Sequence, residues 1–303
     1  MAVAMADGIF SYLLSGIIII LVFSLFYLAY RNGFIVGPGG QQGVTEGFTG
    51  APDQFSELDV KLRDKIFGDD SEIYAFDVKQ IANKIIGDRD YSGLKILDAG
   101  TGIGRHYSEF ARIFHGADIT GVDRSSNMIQ YARNRNPEGK FINDDLLKQD
   151  LFKPDTFDYV FAMLETIFYN KDVRGLVENV HRWLKPGGVF CVHLINPEKL
   201  DPAPRPYTQY YEHEGVKHAL TYYNGFAHDA VWERNGDETD YVQSYILDDG
   251  NKTTSRLKLY IPNQQQMVKM IQSVGFKVID IISLRPLKIE DFELFCFQKP
   301  GDD

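Results

Sequence analysis

Cysteine and tryptophan are scarce in this chain, with two of each among its 303 residues. Two cysteines cannot build a disulfide framework, and because Cys191 and Cys296 lie in apolar runs we expect buried thiols. Basic residues are also outnumbered, 32 against 42 acidic residues, which gives a formal net charge of -10. A surface with that charge does not attract a phosphate backbone, so we expect no nucleic-acid partner.

One long hydrophobic run stands out from this ordinary globular composition. From Ile9 to Tyr30 the chain has no charge, and as a helix the run would extend about 33 Å, enough to cross the hydrocarbon core of a bilayer. We therefore predict a single-pass transmembrane anchor over residues 1–32, with the span at about 9–30. The alternatives are a cleaved signal peptide and a buried core helix. An acidic residue before the run and a basic residue after it favour a cytoplasmic C-terminal side.

A glycine-rich stretch follows the predicted anchor. Residues 33–53 are almost without charge, and their composition predicts a flexible linker. Globular patterning begins at about residue 54, so we predict one globular domain over residues 54–303.

Short apolar strands alternate with helices through most of this domain. The predicted strands are 95–99, 119–123, 140–142, 157–164 and 189–195, and the predicted helices are 71–86, 105–115, 125–134, 172–184 and 262–274. This alternation predicts an α/β fold with a doubly wound, mostly parallel sheet. Two further strands, 276–282 and 293–298, have no helix between them, which indicates a final antiparallel hairpin.

The segment from about 197 to 261 interrupts the alternation. It is rich in aromatic residues and has Asn-Gly and Asp-Gly turns between alternating runs, which predicts a small β-rich insertion. Because ligands of open α/β sheets bind at the carboxyl ends of the strands, an insertion after the fifth strand is expected to cover that site as a lid. We expect its aromatic residues to pack within the sheet, and its histidines, His213, His218 and His228, to lie at the surface.

A glycine-rich turn after the first predicted strand is the main chemical motif. Asp98 is followed by glycines at 100, 102 and 104, a spacing that does not fit the G-x-G-x-x-G pattern of dinucleotide sites. Asp123 ends the second strand, where a carboxylate can accept both hydroxyls of a ribose. Asp144 and Asp145 follow the third strand, where an acid can bind an exocyclic amine. Acidic groups also suit a ligand that carries a sulfonium and an ammonium group.

These motifs resemble those of the class I S-adenosylmethionine-dependent methyltransferases, over about residues 70–300. The stretches LDAGTGIGRH, GVDRSSNMI, NDDLL, FDYVFAML and LKPGG carry the resemblance, and the second is typical of the small-molecule branch. The resemblance implies a Rossmann-like sheet of seven strands with the last antiparallel, and S-adenosylmethionine as cofactor. The cofactor-binding residues that it implies are Tyr74, Asp98, Gly100, Thr101, Gly102, Gly104, Asp123, Arg124, Met128, Asp144, Asp145, Leu146 and Met163.

The acceptor side of the site has less distinctive residues. Glu165, Tyr169 and His193 lie near the carboxyl ends of the fourth and fifth strands, so they are the catalytic candidates. For His193 a buried structural role is the alternative. We expect no metal site, since no cluster has metal-ligand spacing.

The interpretation that follows is a membrane-anchored methyltransferase acting on a small or lipid-soluble acceptor. A domain tethered to a bilayer meets lipid-soluble substrates at high effective concentration. Two alternatives remain open, namely methylation of protein side chains and a non-catalytic structural role within a larger membrane assembly.

Overall fold

A computed structural model describes residues 44–46, 55–68, 71–201 and 208–301. The strands are β1 (Val44–Glu46), β2 (Lys95–Ala99), β3 (Asp118–Asp123), β4 (Lys140–Asn143), β5 (Phe157–Ala162), β6 (Leu184–Ile195), β7 (Gln209–His213), β8 (Val216–Tyr223), β9 (Phe226–Asn235), β10 (Glu238–Leu247), β11 (Lys252–Tyr260), β12 (Lys277–Ser283) and β13 (Phe292–Gln298). The helices are α1 (Glu57–Gly68), α2 (Ser71–Ile81), α3 (Arg105–Ile113), α4 (Ser126–Arg135), α5 (Val173–Trp183) and α6 (Gln264–Ser273).

A seven-stranded sheet forms the centre of the described structure. Its order is β12-β13-β6-β5-β2-β3-β4, in which β13 runs antiparallel to both neighbours and all the other pairs are parallel. The predicted α/β fold, with a mostly parallel sheet and a final antiparallel hairpin, is confirmed.

Both faces of this sheet are buried, as the continuous apolar strands require. Successive residues of β2 point to opposite faces: Leu97 packs in one core cluster with Trp183 of α5, and Ile96 packs in another with Phe110 of α3. Helices α5 and α6 cover the first face, and α2, α3 and α4 cover the second. The carboxyl ends of the parallel strands are thereby held at one edge of a rigid layer.

The predicted β-rich insertion supplies five strands, β7 to β11, of a second, six-stranded sheet. Its order is β1-β11-β10-β9-β8-β7, and β7 to β11 form an antiparallel meander. Leu257 and Leu259 of β11 are buried in the same core cluster as Phe168, so the sheet is packed against the main domain. We call these six strands the lid sheet after their predicted role, although none of their described residues lines the cleft at the carboxyl ends of the parallel strands.

Three local features differ from the expectations. Strand β1 pairs in parallel with Thr254–Arg256 of β11, although it lies within the stretch predicted as a linker. Helix α1 was not predicted. His228, expected at the surface, is buried, because its ring packs 5.3 Å from that of Tyr245 and its Nε2 lies 3.3 Å from Gln243 Oε1.

Among the described residues, no helix is both long and apolar enough to cross a bilayer. The predicted span, Ile9 to Tyr30, lies outside the described residues, as does most of the predicted linker. The described residues before Asp249 and after Asn251 form one compact unit, to which the following description applies. In the Asp249–Asn251 turn, grouped apart from that unit, the backbone and side-chain amides of Asn251 donate to the Asp249 carboxylate.

Candidate active site

A cleft of about 1130 Å³, counting its open mouth, lies at the carboxyl ends of β2, β3 and β5. Every predicted cofactor-binding residue except Gly104 lines it. Two of the catalytic candidates, Glu165 and Tyr169, line it as well. The parallel strands thus bring together side chains that are up to about a hundred positions apart in the sequence.

The glycines of the loop after β2 serve different purposes. A side chain at Gly100 would place its Cβ 2.3 Å from Thr166 Cγ2, and one at Gly104 would meet Asn136 and Ala132 of α4 and its C-terminal end. Neither position can therefore accept a side chain, because other protein atoms occupy the space that its Cβ would need. Gly102 has φ +54° and nothing within 4 Å of its Cβ position, so its backbone faces open space in the cleft. This is the point where a ligand can approach bare backbone.

Asp123, at the end of β3, holds the loop in place. Its Oδ2 accepts a hydrogen bond from the Gly102 amide, and its Oδ1 accepts one from the Ser125 amide, both at 2.9 Å. Ser125 in turn caps α4 by accepting from the Met128 amide at 3.3 Å. The carboxylate therefore has a fixed orientation at the wall of the cleft.

Asp98 is a buried carboxyl group at the end of β2. The Thr101 hydroxyl donates to its Oδ2 at 2.6 Å. Burial raises the pKa of Asp98 to about 6, against the opposing effects of nearby His106 and of the Thr101 hydrogen bond. The group can therefore change charge just below neutral pH.

Glu165 precedes the short 3₁₀ turn Thr166–Tyr169 that follows β5, and Tyr169 is the last residue of that turn. Burial raises the pKa of Tyr169 to about 12, so its phenol keeps its proton at neutral pH and is suited to donate a hydrogen bond. Glu165 also lines the cleft, beside this turn.

The structure does not bring His193 to the cleft. The ring is fully buried, its Nδ1 accepts a hydrogen bond from the Leu164 amide at 2.8 Å, and its Nε2 lies 3.5 Å from Asp77 Oδ1. Leu164 has φ +52°, a conformation unusual for a leucine, and this hydrogen bond helps to hold it. Because both ring nitrogens face protein groups, His193 positions the end of β5 and is not placed to act on a ligand.

Asp77 on α2 is a buried carboxylate between two histidines. It is fully buried, with His106 Nε2 3.0 Å from its Oδ2 and His193 on its other side. Burial by itself would raise the pKa of Asp77, but the two histidines outweigh it and lower the pKa. The sequence reasoning missed this residue, and also His106, which lines the cleft.

Helix α1 is the largest element of the site that the sequence reasoning missed. Ser56 and Asp59 form a capping box, in which each backbone amide donates to the other side chain at 3.1 Å. The Ser-x-x-acid spacing of this box is the feature that could have predicted the helix. Two residues of this segment, Phe55 and Arg63, line the cleft.

Two arginines fix α1 over the loop. Arg105 donates to the Asp64 carboxylate at 2.5 Å and to its backbone carbonyl at 2.7 Å, and Arg135 donates to the same carboxylate at 2.5 Å. Val60 packs with Ile103 of the loop and Met128 of α4, so the helix covers that side of the cleft.

The part of the chain that the structure describes contains no group of three or more His, Cys, Asp or Glu side chains arranged to hold a metal ion. The polar groups that line the described cleft are carboxylates, phenols, guanidinium groups, hydroxyls, the His106 imidazole and backbone amides.

Residues 96–188 match a family model described as a methyltransferase domain. A sterol 24-C-methyltransferase of Gibberella zeae is 35% identical over 114 residues, which cover 36% of this chain and 29% of that protein. The Saccharomyces cerevisiae sterol 24-C-methyltransferase is 32% identical over 104 residues, covering 32% and 26%. The matched part thus spans less than a third of the length of either relative.

Solved structures share the fold over most of this chain. The sugar N-methyltransferase KedS8 of Streptoalloteichus has a TM-score of 0.60 at 18% identity, covering 88% of this chain and 98% of that one. DesVI of Streptomyces venezuelae gives 0.60 at 20% identity, covering 81% and 99%. CalS10 of Micromonospora echinaspora, an amino pentose methyltransferase with S-adenosylmethionine bound, gives 0.56 at 19% identity, covering 80% and 95%. At these identities the likeness concerns the fold.

Proposed function

We propose that this chain, which carries a methyltransferase domain with the class I S-adenosylmethionine-dependent fold, methylates a small or lipid-soluble acceptor. The domain and its cofactor follow from the family match over 96–188 and from the shared fold. The observation that carries the proposal is that four carboxylates line the same cleft as the open backbone of the glycine loop. Asp98, Asp123, Asp144 and Asp145 line one cleft with Gly102, where a cationic nucleoside would be held.

The residues of the cleft fit this cofactor. We propose that Asp98 binds its ammonium group, Asp123 its ribose hydroxyls, and Asp144 or Asp145 the adenine amine, while Met128 packs on the adenine ring. The backbone of Gly102 would lie along the methionine part. When bound, S-adenosylmethionine would supply a methyl group on a sulfonium; the methyl carbon would bond to the acceptor atom as its bond to sulfur breaks, leaving S-adenosylhomocysteine.

The protein's own contribution to the reaction is mainly positional. Holding the acceptor atom in line with the methyl group converts a bimolecular step into an effectively unimolecular one. Where the acceptor carries a proton, we propose that Glu165 takes it, since this carboxylate lines the cleft beside the turn after β5. Tyr169, which stays protonated, would orient the acceptor by donating a hydrogen bond.

We also propose that the run from Ile9 to Tyr30 anchors the domain in a membrane, with the domain on the cytoplasmic side. Its length and lack of charge support this, and the sterol methyltransferases that match 96–188 act, by their names, on a lipid-soluble compound. Extraction of membranes with alkaline carbonate should leave the full chain in the pellet, while a variant without residues 1–32 should be released.

Incubation of membranes containing the full chain with methyl-labelled S-adenosylmethionine tests the activity. Label in the organic extract is the expected result. Label in protein bands would instead indicate a protein side-chain methyltransferase. If the chain bound S-adenosylhomocysteine but transferred no labelled methyl group to any compound in the membrane extracts, a structural role would be favoured.

The affinity for S-adenosylhomocysteine should fall as the pH drops below about 6. The pKa of Asp98 is raised to about 6, and a proton on this carboxyl competes with the ligand's ammonium group. Each pH unit below that value should weaken binding up to about tenfold. Calorimetric titrations between pH 5 and pH 8 would measure this dependence.

Two variants test the assignment of the pH dependence. The Asp98→Asn variant should bind S-adenosylhomocysteine weakly, and its affinity should not change between pH 5 and pH 8. Asp291→Asn should keep it, because Asp291 also has a pKa raised, to about 7, but does not line the cleft. A pH dependence that persists in Asp98→Asn would contradict the assignment.

Asp64→Asn should speed the dissociation of S-adenosylhomocysteine about five- to tenfold, because it loosens two ion pairs each worth up to about 1 kcal/mol. Stopped-flow displacement would measure the dissociation rate. Added salt should reduce the difference in this rate between the variant and the wild type, because it screens the ion pairs. Asp118→Asn is the matched control, since Asp118 pairs with Lys140 on another surface. An unchanged rate in Asp64→Asn would mean that α1 does not limit cofactor release.

A further inference from the structure

The two cysteines of the chain lie directly opposite each other in the seven-stranded sheet. Cys191 on β6 and Cys296 on β13 are 105 positions apart, yet they are partners in the register of these two antiparallel strands. Their Sγ atoms lie 2.7 Å apart. The sequence contains no other cysteine, so any disulfide bond within one molecule must join these two residues.

The backbone geometry of this pair suits a disulfide bond. Residues directly opposite each other in an antiparallel pair have Cα atoms about 4.5–5.5 Å apart, and a disulfide needs a Cα separation of about 4.4–6.8 Å. Bonded sulfur atoms lie about 2.05 Å apart, so closure requires the two Sγ atoms to approach each other by less than about 1 Å. The bond can therefore close without a change in the register of β6 and β13.

Burial protects the reduced pair in the folded sheet. Both side chains are fully buried, in an apolar core cluster that also contains Val189 of β6 and Leu294 of β13. Burial is the main cause that raises the pKa of the Cys191 thiol well above its ordinary value, so this thiol keeps its proton at neutral pH. Because the thiolate is the reactive form of cysteine, the pair reacts only when it is uncovered.

The pair can be uncovered by opening one edge of the sheet. Strand β12 is the edge strand and β13 lies between β12 and β6, so detaching this hairpin breaks one strand pairing, that of β13 with β6. The other five strands keep their pairing. Ile279 and Ile281 of β12 are exposed, and the β12–β13 register shifts between Val278 and Asp280. Local opening of such an element costs less free energy than global unfolding.

We propose that Cys191 and Cys296 are a redox-active pair, which closes into a cross-strand disulfide and locks β13 onto β6. The oxidant is an organic disulfide. The thiolate of one cysteine attacks a sulfur atom of the oxidant and releases a first thiol, and the thiolate of the other cysteine then attacks the mixed disulfide and releases a second. The pair loses two electrons and two protons, and the oxidant gains them as its own bond is reduced to two thiols.

The disulfide holds the hairpin on the sheet. The bond closes a long loop, since the two cysteines are 105 positions apart, and a long loop gives a large reduction in the conformational entropy of the unfolded chain. It also secures one wall of the cleft, because Leu294 lies opposite His193, whose ring accepts the hydrogen bond of the Leu164 amide. This inference does not depend on the proposed methyltransferase function.

Equilibration of the full chain in detergent micelles with reduced and oxidised glutathione tests the proposal. The fraction of disulfide is measured by acid quenching, alkylation of the remaining thiols and intact-protein mass spectrometry, in native buffer and in concentrated urea. Equilibrium is approached from both the reduced and the oxidised chain. The effective concentration of the two thiols should be at least about a hundredfold higher in the folded protein than in urea.

The urea midpoint provides a second readout. By linkage, the disulfide stabilises the folded state by the same factor by which folding favours the disulfide. The oxidised wild type should therefore unfold at a urea concentration about 1 M or more above that of the reduced wild type. Cys191→Ala and Cys296→Ala should each have the same midpoint with and without oxidised glutathione.

Three results would overturn the inference. The first is an effective concentration that is no higher in the folded protein than in urea, including thiols that stay free in native buffer. The second is a stable mixed disulfide with glutathione, or a disulfide-linked dimer, in place of the bond within one molecule. The third is an oxidised wild type whose urea midpoint is equal to or below that of the reduced protein. All three are measured on the wild type, so none requires a variant to fold.

Discussion

Replacement of Asp123 by alanine should raise the dissociation constant for S-adenosylhomocysteine about 100-fold or more. Two hydrogen bonds from ribose hydroxyls to a carboxylate contribute roughly 1.5 kcal/mol or more each, and about 1.4 kcal/mol corresponds to a factor of ten. The same carboxylate also accepts the Gly102 and Ser125 amides, so its loss loosens the loop that the ligand must contact. Calorimetric titration at neutral pH measures the change.

Two further variants separate binding from general damage. Asp123→Asn keeps one carboxamide oxygen as an acceptor and should lose less affinity than the alanine variant. Glu138→Gln removes the same charge from an exposed residue and should bind as the wild type does. If a folded Asp123→Ala protein bound the ligand with unchanged affinity, the carboxylate would have no part in ribose recognition.

Replacement of Asp77 by alanine should lower the free energy of unfolding by about 3 kcal/mol or more, because it leaves two buried imidazoles without their shared carboxylate. His106 Nε2 lies 3.0 Å and His193 Nε2 3.5 Å from the Asp77 carboxylate. Urea denaturation followed by circular dichroism would measure the loss. Asp88→Ala, at an exposed position, is the control and should change stability little.

The contribution of Asp77 should also depend on pH. Its pKa is lowered in the folded protein from an ordinary value of 3.8, so folding favours the charged form. The stabilisation is therefore complete above the unfolded pKa and is lost as the pH falls through the folded pKa. The stability gap between the wild type and Asp77→Asn should narrow below about pH 4. A gap that widens on acidification would contradict the lowered pKa.

The sequence predicted the sheet and the loop because both depend on short-range patterns. Alternating strands and helices define the seven-stranded sheet, and parallel strands bring Asp98, Asp123 and Asp144 to one edge whatever their separation in the chain. By contrast, α1 has Leu58, Val60 and Leu62 at intervals of two, which suit a strand as well as a helix.

The remaining differences arise from contacts between distant segments. The position of His193 on a strand did not reveal that its ring would be held between Leu164 and Asp77. Arg63 meets Glu165 and Tyr245 only because α1 lies between the loop and the lid sheet. No local pattern encodes such contacts.

The shared packing of α1 has a consequence for the order of events in turnover. One part of the helix contacts the glycine loop through Val60, while Leu62 and Ile66 pack with Phe226 and Tyr245 of the lid sheet. Displacing α1 to admit the cofactor would also break its contacts with the lid sheet. Compulsory-order kinetics should result, with the cofactor first to bind and its product last to leave. By linkage, each ligand should tighten the binding of the other by the same factor.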